Sequence, residues 1–128
     1  MAEILRVEDL CTYFKTAVDH VSFHINSNEI VGFVGESGCG KSTSMLAIMQ
    51  LVMNTPGKSV TGRILFEGRN LLEYRQGSRE MCAVRGGKIS MIFQEPMTSL
   101  NPTMEIGEQI AEMIRTHMDV SPDEAKER

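Results

Sequence analysis

The chain has 128 residues, of which 41% are hydrophobic and 23% charged, a composition that suits one globular domain. Its formal net charge is -4, with both signs scattered and no basic block, which argues against nucleic acid as a partner. Acidic residues near the N-terminus and short apolar runs predict neither a secretory signal nor a membrane span. Three cysteines without a CxxC or zinc spacing indicate neither a disulfide framework nor a structural metal, so we expect reduced thiols in a cytosolic protein.

The first part of the chain predicts short strands of a small sheet. The segment "AVDHVSFHI", residues 17–25, alternates apolar and polar residues with the period of a strand. His20 and His24 would share one face of this strand, but no third ligand is near them in sequence, so we do not expect them to bind a metal. Further along, "RILFEG" at residues 63–68 is typical of another strand of the same peripheral sheet.

The segment 29–53 predicts a strand, a turn and a helix. "EIVGFVG", residues 29–35, is a short apolar and β-branched run suited to a buried parallel strand. "KSTSMLAIMQLVM", residues 41–53, contains helix formers and an apolar stripe. The methionines at helical spacing in this stretch are expected to fill the core rather than to form an interaction surface; they are Met45, Met49 and Met53.

The turn between strand and helix carries the strongest motif of the chain. Its residues match G-x-x-x-x-G-K-[ST], the phosphate-binding loop, in which glycines let backbone N–H groups surround phosphate oxygens. Lys41 is predicted to bind the β- and γ-phosphates, Ser42 to give a hydroxyl to Mg²⁺, and Thr43 to lie near the α-phosphate. Cys39 is expected to act through its backbone alone. The predicted nucleotide-binding residues here are Gly35, Glu36, Ser37, Gly38, Cys39, Gly40, Lys41, Ser42 and Thr43.

A second informative stretch is "KISMIFQEPMTSLNP", residues 88–102. It begins as an apolar strand and turns into a loop at Gln94, where Pro96 and Pro102 prevent regular structure from continuing. Glu95 would be a catalytic carboxylate if this were the metal-binding strand of a nucleotide hydrolase. Gln94 precedes it, however, and a neutral amide does not replace an aspartate near Mg²⁺. We therefore favour Gln94 as a residue that positions water or metal.

The last part of the chain predicts two helices. Residues 103–118, "TMEIGEQIAEMIRTHM", form an amphipathic pattern with apolar positions at Ile106, Ile110, Met113 and Ile114. Ser121-Pro122-Asp123-Glu124 is a capping box with proline at the first helical position, so a second helix should begin there.

Together, "GESGCGKST" and "MIFQEPMTSLNP" resemble the ATP-binding subunit of ABC transporters, and the second phrase is particularly similar to the oligopeptide and dipeptide importers. The resemblance extends over essentially the whole chain, residues 1–128. It implies an α/β fold: a P-loop NTPase core of the ABC ATPase type, with a small antiparallel β-subdomain and the start of a helical subdomain, incomplete. We expect this chain to be the N-terminal part of a single ATP-binding domain.

The resemblance also implies roles and partners. Residues 35–43 would be the Walker A loop, with ATP and Mg²⁺ as cofactors. Gln94 would be the Q-loop glutamine, which meets Mg²⁺ and the attacking water, so Lys41 and Gln94 are the expected catalytic residues. Adenine would stack on an aromatic residue upstream, Tyr13 or Phe14, of which Phe14 is preferred. The implied partners are a second ATPase subunit and membrane permease subunits of an importer, on the inner face of the plasma membrane.

Other motifs of the family are not found in these 128 residues. An LSGGQ-like signature, a Walker B strand ending in Asp and Glu, and a switch histidine are all missing, and His117 stands in a different context. We therefore expect negligible hydrolysis by this chain alone. Two alternative functions remain open from the residues, a non-hydrolytic nucleotide-binding module and a different P-loop enzyme such as a small kinase.

Overall fold

A computed structural model of the chain describes residues 2–13, 18–52 and 59–128. Its contacts divide into two compact units, Met1–Met81 and Cys82–Arg128. Each unit is described by itself below.

An antiparallel sheet forms the larger part of the first unit. Its strands are β1 (Glu3–Tyr13), β2 (Val18–Asn26), β3 (Ser59–Phe66) and β4 (Arg69–Asn70), in the order β2-β1-β3-β4. All three pairings are antiparallel. The predicted small antiparallel sheet is therefore confirmed. Strand β3 contains residues 63–66 of the "RILFEG" segment, whereas Glu67 and Gly68 form the turn that leads to β4.

The core of this unit contains apolar side chains of the sheet and of the segments that follow it. Val7, Leu10 and Ile64 are almost completely buried, together with Leu71 and Met81, which follow the sheet in sequence. Burying one such side chain contributes about 1.5–3 kcal/mol relative to leaving it exposed. These contacts fix the register of β1 and β3, because a shift by one residue would turn the apolar side chains to the opposite face.

The helix α1 (Lys41–Ile48) is shorter than the sequence predicts. It stops before Gln50, which is buried and has a left-handed backbone with φ of 53°. The Gln50 side-chain amide donates hydrogen bonds to the carbonyls of Leu71 at 2.5 Å and Tyr74 at 3.1 Å. The buried Gln50 side chain, whose Nε2 group donates to distant carbonyls, thus lies at the end of the helix where the local sequence would let it continue. Met53, predicted to lie on the helix, falls outside the described residues, whereas Met49 is buried as expected.

The prediction of a buried parallel strand at residues 29–35 is wrong for this structure. The segment has no strand pairing, and the side chains of Ile30 and Val34 are each 99% exposed. A parallel strand needs neighbours that hydrogen-bond to it, and no other segment of the described chain pairs with this one. It is held instead by Phe33, whose ring packs edge-on against Phe23 of β2 at a centroid distance of 4.7 Å.

The apolar segment at residues 88–93 is likewise not a strand. It makes one isolated bridge, between Arg85 and Ile89, and Ile92 is 97% exposed. The reason is the same as for residues 29–35, since among the described residues no neighbouring strand pairs with it. The central parallel sheet of the predicted α/β fold is therefore not formed by the part of the chain that the structure describes.

Helices dominate the second unit. The helix α2 (Arg79–Val84) crosses the boundary between the units, and α3 (Ile106–His117) and α4 (Pro122–Glu127) follow. Both predicted helices are thus confirmed. Ser121 caps the second, because its hydroxyl accepts a hydrogen bond from the backbone N–H of Glu124 at 3.2 Å, which is one of the two hydrogen bonds of the predicted capping box. Ala111 of α3 and Ala125 of α4 are buried, and Glu108 pairs with Arg115 at 2.6 Å.

The apolar stripe of α3 is largely uncovered. Ile106, Ile110 and Met113 are among the exposed large hydrophobic side chains. Among the helices in the described ranges, none combines the length and apolar character that crossing a bilayer requires.

Candidate functional site

The predicted phosphate-binding loop leads directly into α1. Gly38 and Gly40 have φ angles of 79° and 98°, which non-glycine residues seldom adopt. Gly40 is the residue before the first helical turn, so its left-handed backbone turns the chain into the helix at Lys41. Gly38 and Gly40 therefore stand where the backbone of this turn requires glycine.

Lys41 folds back over the loop. Its ammonium donates hydrogen bonds to the carbonyls of Gly35 at 2.5 Å and Glu36 at 2.8 Å, and it lies 3.3 Å from the Cys39 sulfur. A Cβ at Gly35 would come within 2.6 Å of the same sulfur. The positive charge predicted to bind phosphate is thus placed over the centre of the loop.

The N-terminus of α1 offers further hydrogen-bond donors. No side chain caps this helix, and the N–H groups of a first helical turn have no carbonyl partner within the helix. Lys41, Ser42 and Thr43 form that turn, and Ser42 is exposed. Backbone donors, the helix dipole and one ammonium are therefore accessible at the same turn, which is the donor set that a polyphosphate requires.

Cys39 has a chemical environment that its sequence position does not indicate. The side chain is exposed, and the hydrogen bond from the Lys41 ammonium lowers the pKa of its thiol. A positive group close to a thiol favours the thiolate, which is the reactive form. The motif predicts only a backbone role for Cys39, and the contact of its sulfur with Lys41 adds a side-chain role.

Gln94 lies in the second unit, in the irregular and exposed segment between Ile89 and the short 3-10 helix Pro96–Thr98. Gln94 lies in a loop as predicted, but this loop begins before Gln94, because the preceding strand is not formed. Glu95 follows it and is also exposed. The carbonyl of Glu95 accepts hydrogen bonds from the hydroxyls of Thr98 and Ser99, both at 3.1 Å. A role for Gln94 at the phosphate loop stays a prediction.

The chain after Gln94 is anchored to α3 by a residue that sequence reasoning missed. The Gln109 side chain donates hydrogen bonds from Nε2 to the backbone carbonyls of Asn101 at 2.9 Å and Met104 at 3.0 Å. Its Oε1 atom accepts a hydrogen bond from the backbone N–H of Asn101 at 2.9 Å. Asn101 in turn accepts from the backbone and hydroxyl of Thr103. The Asn-Pro turn signal marks this loop, but nothing local points to Gln109 as its partner.

The adenine-stacking position is only partly described. Phe14, the preferred residue, lies outside the described residues. Tyr13, the alternative, is the last residue of β1, and its side chain is 53% exposed. An aromatic contact with a nucleotide base therefore stays a prediction for both.

A family model for ABC transporters matches residues 18–128 of the chain. The match includes the phosphate loop and the segment around Gln94. The chain belongs to the ABC transporter family. Members of this family share the P-loop ABC ATPase fold and a nucleotide-binding role. The small antiparallel sheet and the helices agree with part of that fold.

Similar proteins of the ABC transporter family are known from bacteria. The chain is 47% identical to a probable peptide ABC transporter ATP-binding protein of Sinorhizobium fredii, over 98% of this chain and 38% of the relative. It is 46% identical to the oligopeptide transport ATP-binding protein AppD of Bacillus subtilis, over 100% of this chain and 40% of the relative. The dipeptide transport ATP-binding protein DppD of the same organism is 42% identical, over 98% of this chain and 39% of the relative.

The chain therefore spans less than half the length of these ABC relatives. The names of these relatives refer to the transport of peptides, oligopeptides and dipeptides, and each name applies to the whole relative rather than to the part that this chain matches.

Proposed function

We propose that this chain provides the phosphate-binding part of the ATP-binding subunit of an ABC importer, with peptides as the transported solutes. The observation that carries the proposal is the phosphate loop, in which the Lys41 ammonium lies over an uncapped helix N-terminus. The similarity to peptide, oligopeptide and dipeptide transport proteins supports the solute class.

In this proposal the loop residues hold the phosphates of ATP. Lys41 exchanges its hydrogen bonds with the Gly35 and Glu36 carbonyls for phosphate oxygens, which are stronger acceptors because they are charged. Ser42 presents its hydroxyl to Mg²⁺, and Thr43 contributes a hydroxyl and an amide near the α-phosphate. When bound, Mg²⁺ neutralises phosphate charge. Phe14, or Tyr13, stacks on adenine.

Gln94 is proposed to complete the site as the residue that orients water and approaches Mg²⁺. Its exposed position in an irregular segment leaves its amide accessible for such a contact. The hydrogen bonds from Gln109 to Asn101 and Met104 restrict the loop that follows, and we propose that this restriction helps to position Gln94.

Residues 1–128 are proposed to be the N-terminal part of one ATP-binding domain, acting with a second ATPase subunit and with membrane permease subunits. The protein would then lie on the cytoplasmic face of the membrane, attached through the permease. Apolar side chains exposed on α3, such as Ile106 and Ile110, are consistent with a partner on this unit. The net charge of -4 supports a partner other than nucleic acid.

The test is Mg-ATP binding by calorimetry, with Lys41→Ala as the variant and Lys126→Ala as the control for loss of one positive charge. A hydrogen bond to a charged group contributes about 1.5–3 kcal/mol, so we expect Lys41→Ala to weaken binding by about tenfold or more. Lys126 lies outside the loop and pairs with Glu108, so its replacement should leave the affinity unchanged.

Phosphate release is followed on the same samples. Binding that depends on Lys41, with no turnover by the chain alone, is the expected result. Equal affinity of the wild type and Lys41→Ala would contradict the phosphate-loop assignment. The importer assignment is tested separately, by peptide uptake into cells in which Lys41→Ala replaces the native subunit. Unchanged uptake would reject it.

A further inference from the structure

Three side chains of different chemistry meet on β1 and β2, away from the phosphate loop in sequence. They are Asp9, Cys11 and His20, and their candidate ligand atoms all lie within 4.8 Å of one another. The pairing of β1 with β2 is irregular here, with register shifts between Val7 and Leu10 and between Leu10 and Thr12. Asp9 and His20 both have left-handed backbones, with φ of 53° and 49°. The irregular pairing therefore brings together residues that a regular ladder would space differently.

The contacts within the group are short and polar. The His20 Nδ1 atom lies 2.5 Å from an oxygen of Asp9. The backbone N–H of His20 donates a hydrogen bond to the sulfur of Cys11 at 3.2 Å. The side chain of Cys11 is buried, with the residue only 3% exposed, so the sulfur is fixed while the other two groups approach it from the surface.

We propose that Asp9, Cys11 and His20 bind a divalent transition metal of the zinc type. One thiolate, one imidazole and one carboxylate are ligands that Zn²⁺ accepts, and three protein ligands leave a fourth position to water. On binding, the Cys11 thiol releases its proton to solvent and forms a metal–sulfur bond. Neutral His20 binds through Nδ1, so the two negative charges of Cys11 and Asp9 balance the charge of the ion.

The required movement is small. Tetrahedral zinc places its ligand atoms about 3.3–3.6 Å from one another, given metal–ligand bonds of about 2.0–2.3 Å. The Asp9 oxygen and His20 Nδ1, now 2.5 Å apart, must therefore separate by about 1 Å. Both side chains can do so, because they are 69% and 66% exposed. The buried Cys11 keeps its place.

A further carboxylate lies on the other side of the histidine ring. An oxygen of Asp19 is 3.6 Å from His20 Nε2. Metal-binding histidines commonly direct their second ring nitrogen to a carboxylate, which fixes the ring orientation and makes the ligand more basic. Asp19 is placed to act in this way when Nδ1 binds the metal.

The donor set also determines the metal. A thiolate and an imidazole favour Zn²⁺, Co²⁺ and other transition metals, whereas Mg²⁺ and Ca²⁺ prefer oxygen ligands. The proposed site is therefore independent of the Mg²⁺ expected at Ser42. A bound ion would link β1 to β2 across their irregular pairing.

The first test is titration with Co²⁺, in a protein that carries Cys39→Ser and Cys82→Ser so that the exposed thiols do not contribute. We expect the near-ultraviolet charge-transfer absorption of a cobalt–thiolate bond, displaced stoichiometrically by Zn²⁺. Cys11→Ser should abolish the band, and His20→Asn or Asp9→Asn should weaken binding at least tenfold. His24→Asn, on the same strand but outside the group, is the matched control.

A second measurement does not depend on the folding of a variant. In the wild-type protein, Zn²⁺ should slow the alkylation of Cys11 by tenfold or more, and Mg²⁺ should not slow it. The slow reaction of the buried thiol is followed by mass spectrometry at the Cys11 peptide. A cobalt titration without the thiolate band, or equal alkylation with and without Zn²⁺ in the folded protein, would overturn the proposal.

Discussion

The Lys41 ammonium determines much of the chemistry of the phosphate loop at the scale of single residues. It donates hydrogen bonds to the carbonyls of Gly35 and Glu36 and to the sulfur of Cys39. The same charge that is proposed to bind phosphate thus also acts on a neighbouring thiol. The reactivity of Cys39 therefore reports on the position of Lys41.

We predict that replacing Lys41 by Ala slows the alkylation of Cys39. The hydrogen bond from Lys41 lowers the pKa of the Cys39 thiol, so at a given pH the wild type holds more thiolate than Lys41→Ala does. Removing the ammonium returns the pKa toward its usual value and moves the rate–pH profile to higher pH. Iodoacetamide labelling, followed by mass spectrometry of the Cys39 peptide, measures the profile.

The control for this prediction is Lys126→Ala, which should leave the Cys39 profile where it is. A profile that does not move in Lys41→Ala would show that the ammonium is not near the sulfur in solution. Mg-ATP should protect Cys39 in the wild type, since phosphates would occupy the same loop.

Gln50 is a second residue with an effect beyond its own position. Its amide donates to two carbonyls, of Leu71 and Tyr74, while its Oε1 atom is buried without a hydrogen-bond partner among the described atoms. We predict that Gln50→Ala destabilises the protein by about 1–2 kcal/mol, because the lost hydrogen bonds outweigh the relief of the unpaired oxygen. Urea unfolding measures the change.

Gln76→Ala is the matched comparison for Gln50→Ala. The Gln76 amide donates one part-buried hydrogen bond, to the Gln50 carbonyl at 2.8 Å. Its loss should lower the free energy of unfolding by about 0.5–1.5 kcal/mol, and loss of the two Gln50 hydrogen bonds, one buried and one part-buried, should lower it more. The reverse order would mean that Gln50 does not hold the end of α1.

Elements of the chain differ in how far local sequence decides them. The capped helix α4 forms where the pattern predicts, and β3 includes residues 63–66 of the predicted strand, because a cap and a period-two burial pattern act over a few residues. The end of α1 and the pairing of β1 with β2 depend on contacts with distant residues. Gly62 in the strand β3 and Gly107 in the helix α3 illustrate this difference between long-range and local constraints.

We predict opposite effects for alanine at these two glycines. Gly62 of β3 has φ of 107°, and a Cβ there would lie 2.5 Å from the Asp9 carbonyl, so Gly62→Ala should destabilise by about 1–2 kcal/mol or more. Gly107 of α3 has nothing within 4 Å of an added Cβ. Gly107→Ala should stabilise by about 0.5 kcal/mol, because alanine favours the helix.

Urea unfolding of both variants, read by circular dichroism, tests the pair. Stabilisation by Gly62→Ala would be incompatible with the close approach of β3 to Asp9. In that case the irregular pairing that supports the proposed metal site would also need revision.

The whole molecule exposes apolar segments in both of its units. Ile30 and Val34 precede the phosphate loop, and Ile92 precedes Gln94. Contiguous exposed apolar side chains mark surfaces that bind partners or promote association.

We therefore predict that the purified chain binds the dye ANS and associates at raised concentration. Val34→Thr should lower the dye fluorescence and slow association, because it makes the exposed segment more polar without removing a buried contact. Leu10→Thr is the contrasting variant, since Leu10 is fully buried, and it should raise the fluorescence by loosening the core. Fluorescence and light scattering measure both, and a fluorescence unaffected by Val34→Thr would contradict the exposed placement of this segment.

Much of the candidate site was predictable from the sequence. The phosphate loop, its glycines and the start of α1 follow from residues that are adjacent in the chain, so the motif predicts them. A loop around Gln94 was also predicted, from the prolines at 96 and 102, although the irregular segment begins before Gln94 and Pro96 starts a short 3-10 helix. The assignment of these segments to the ABC transporter family agrees with the family match over residues 18–128.

Only the tertiary structure decided the features that rest on contacts across the chain. Sequence periodicity at residues 29–35 favours a strand, but a strand forms only where a neighbour supplies hydrogen bonds, and none is paired with it in the described structure. The C-terminal end of α1, next to Gln50, depends on a hydrogen bond between residues far apart in sequence, and so does the contact of Asp9 with His20. Motifs and periods record local geometry, whereas long-range partners appear only once the chain is folded.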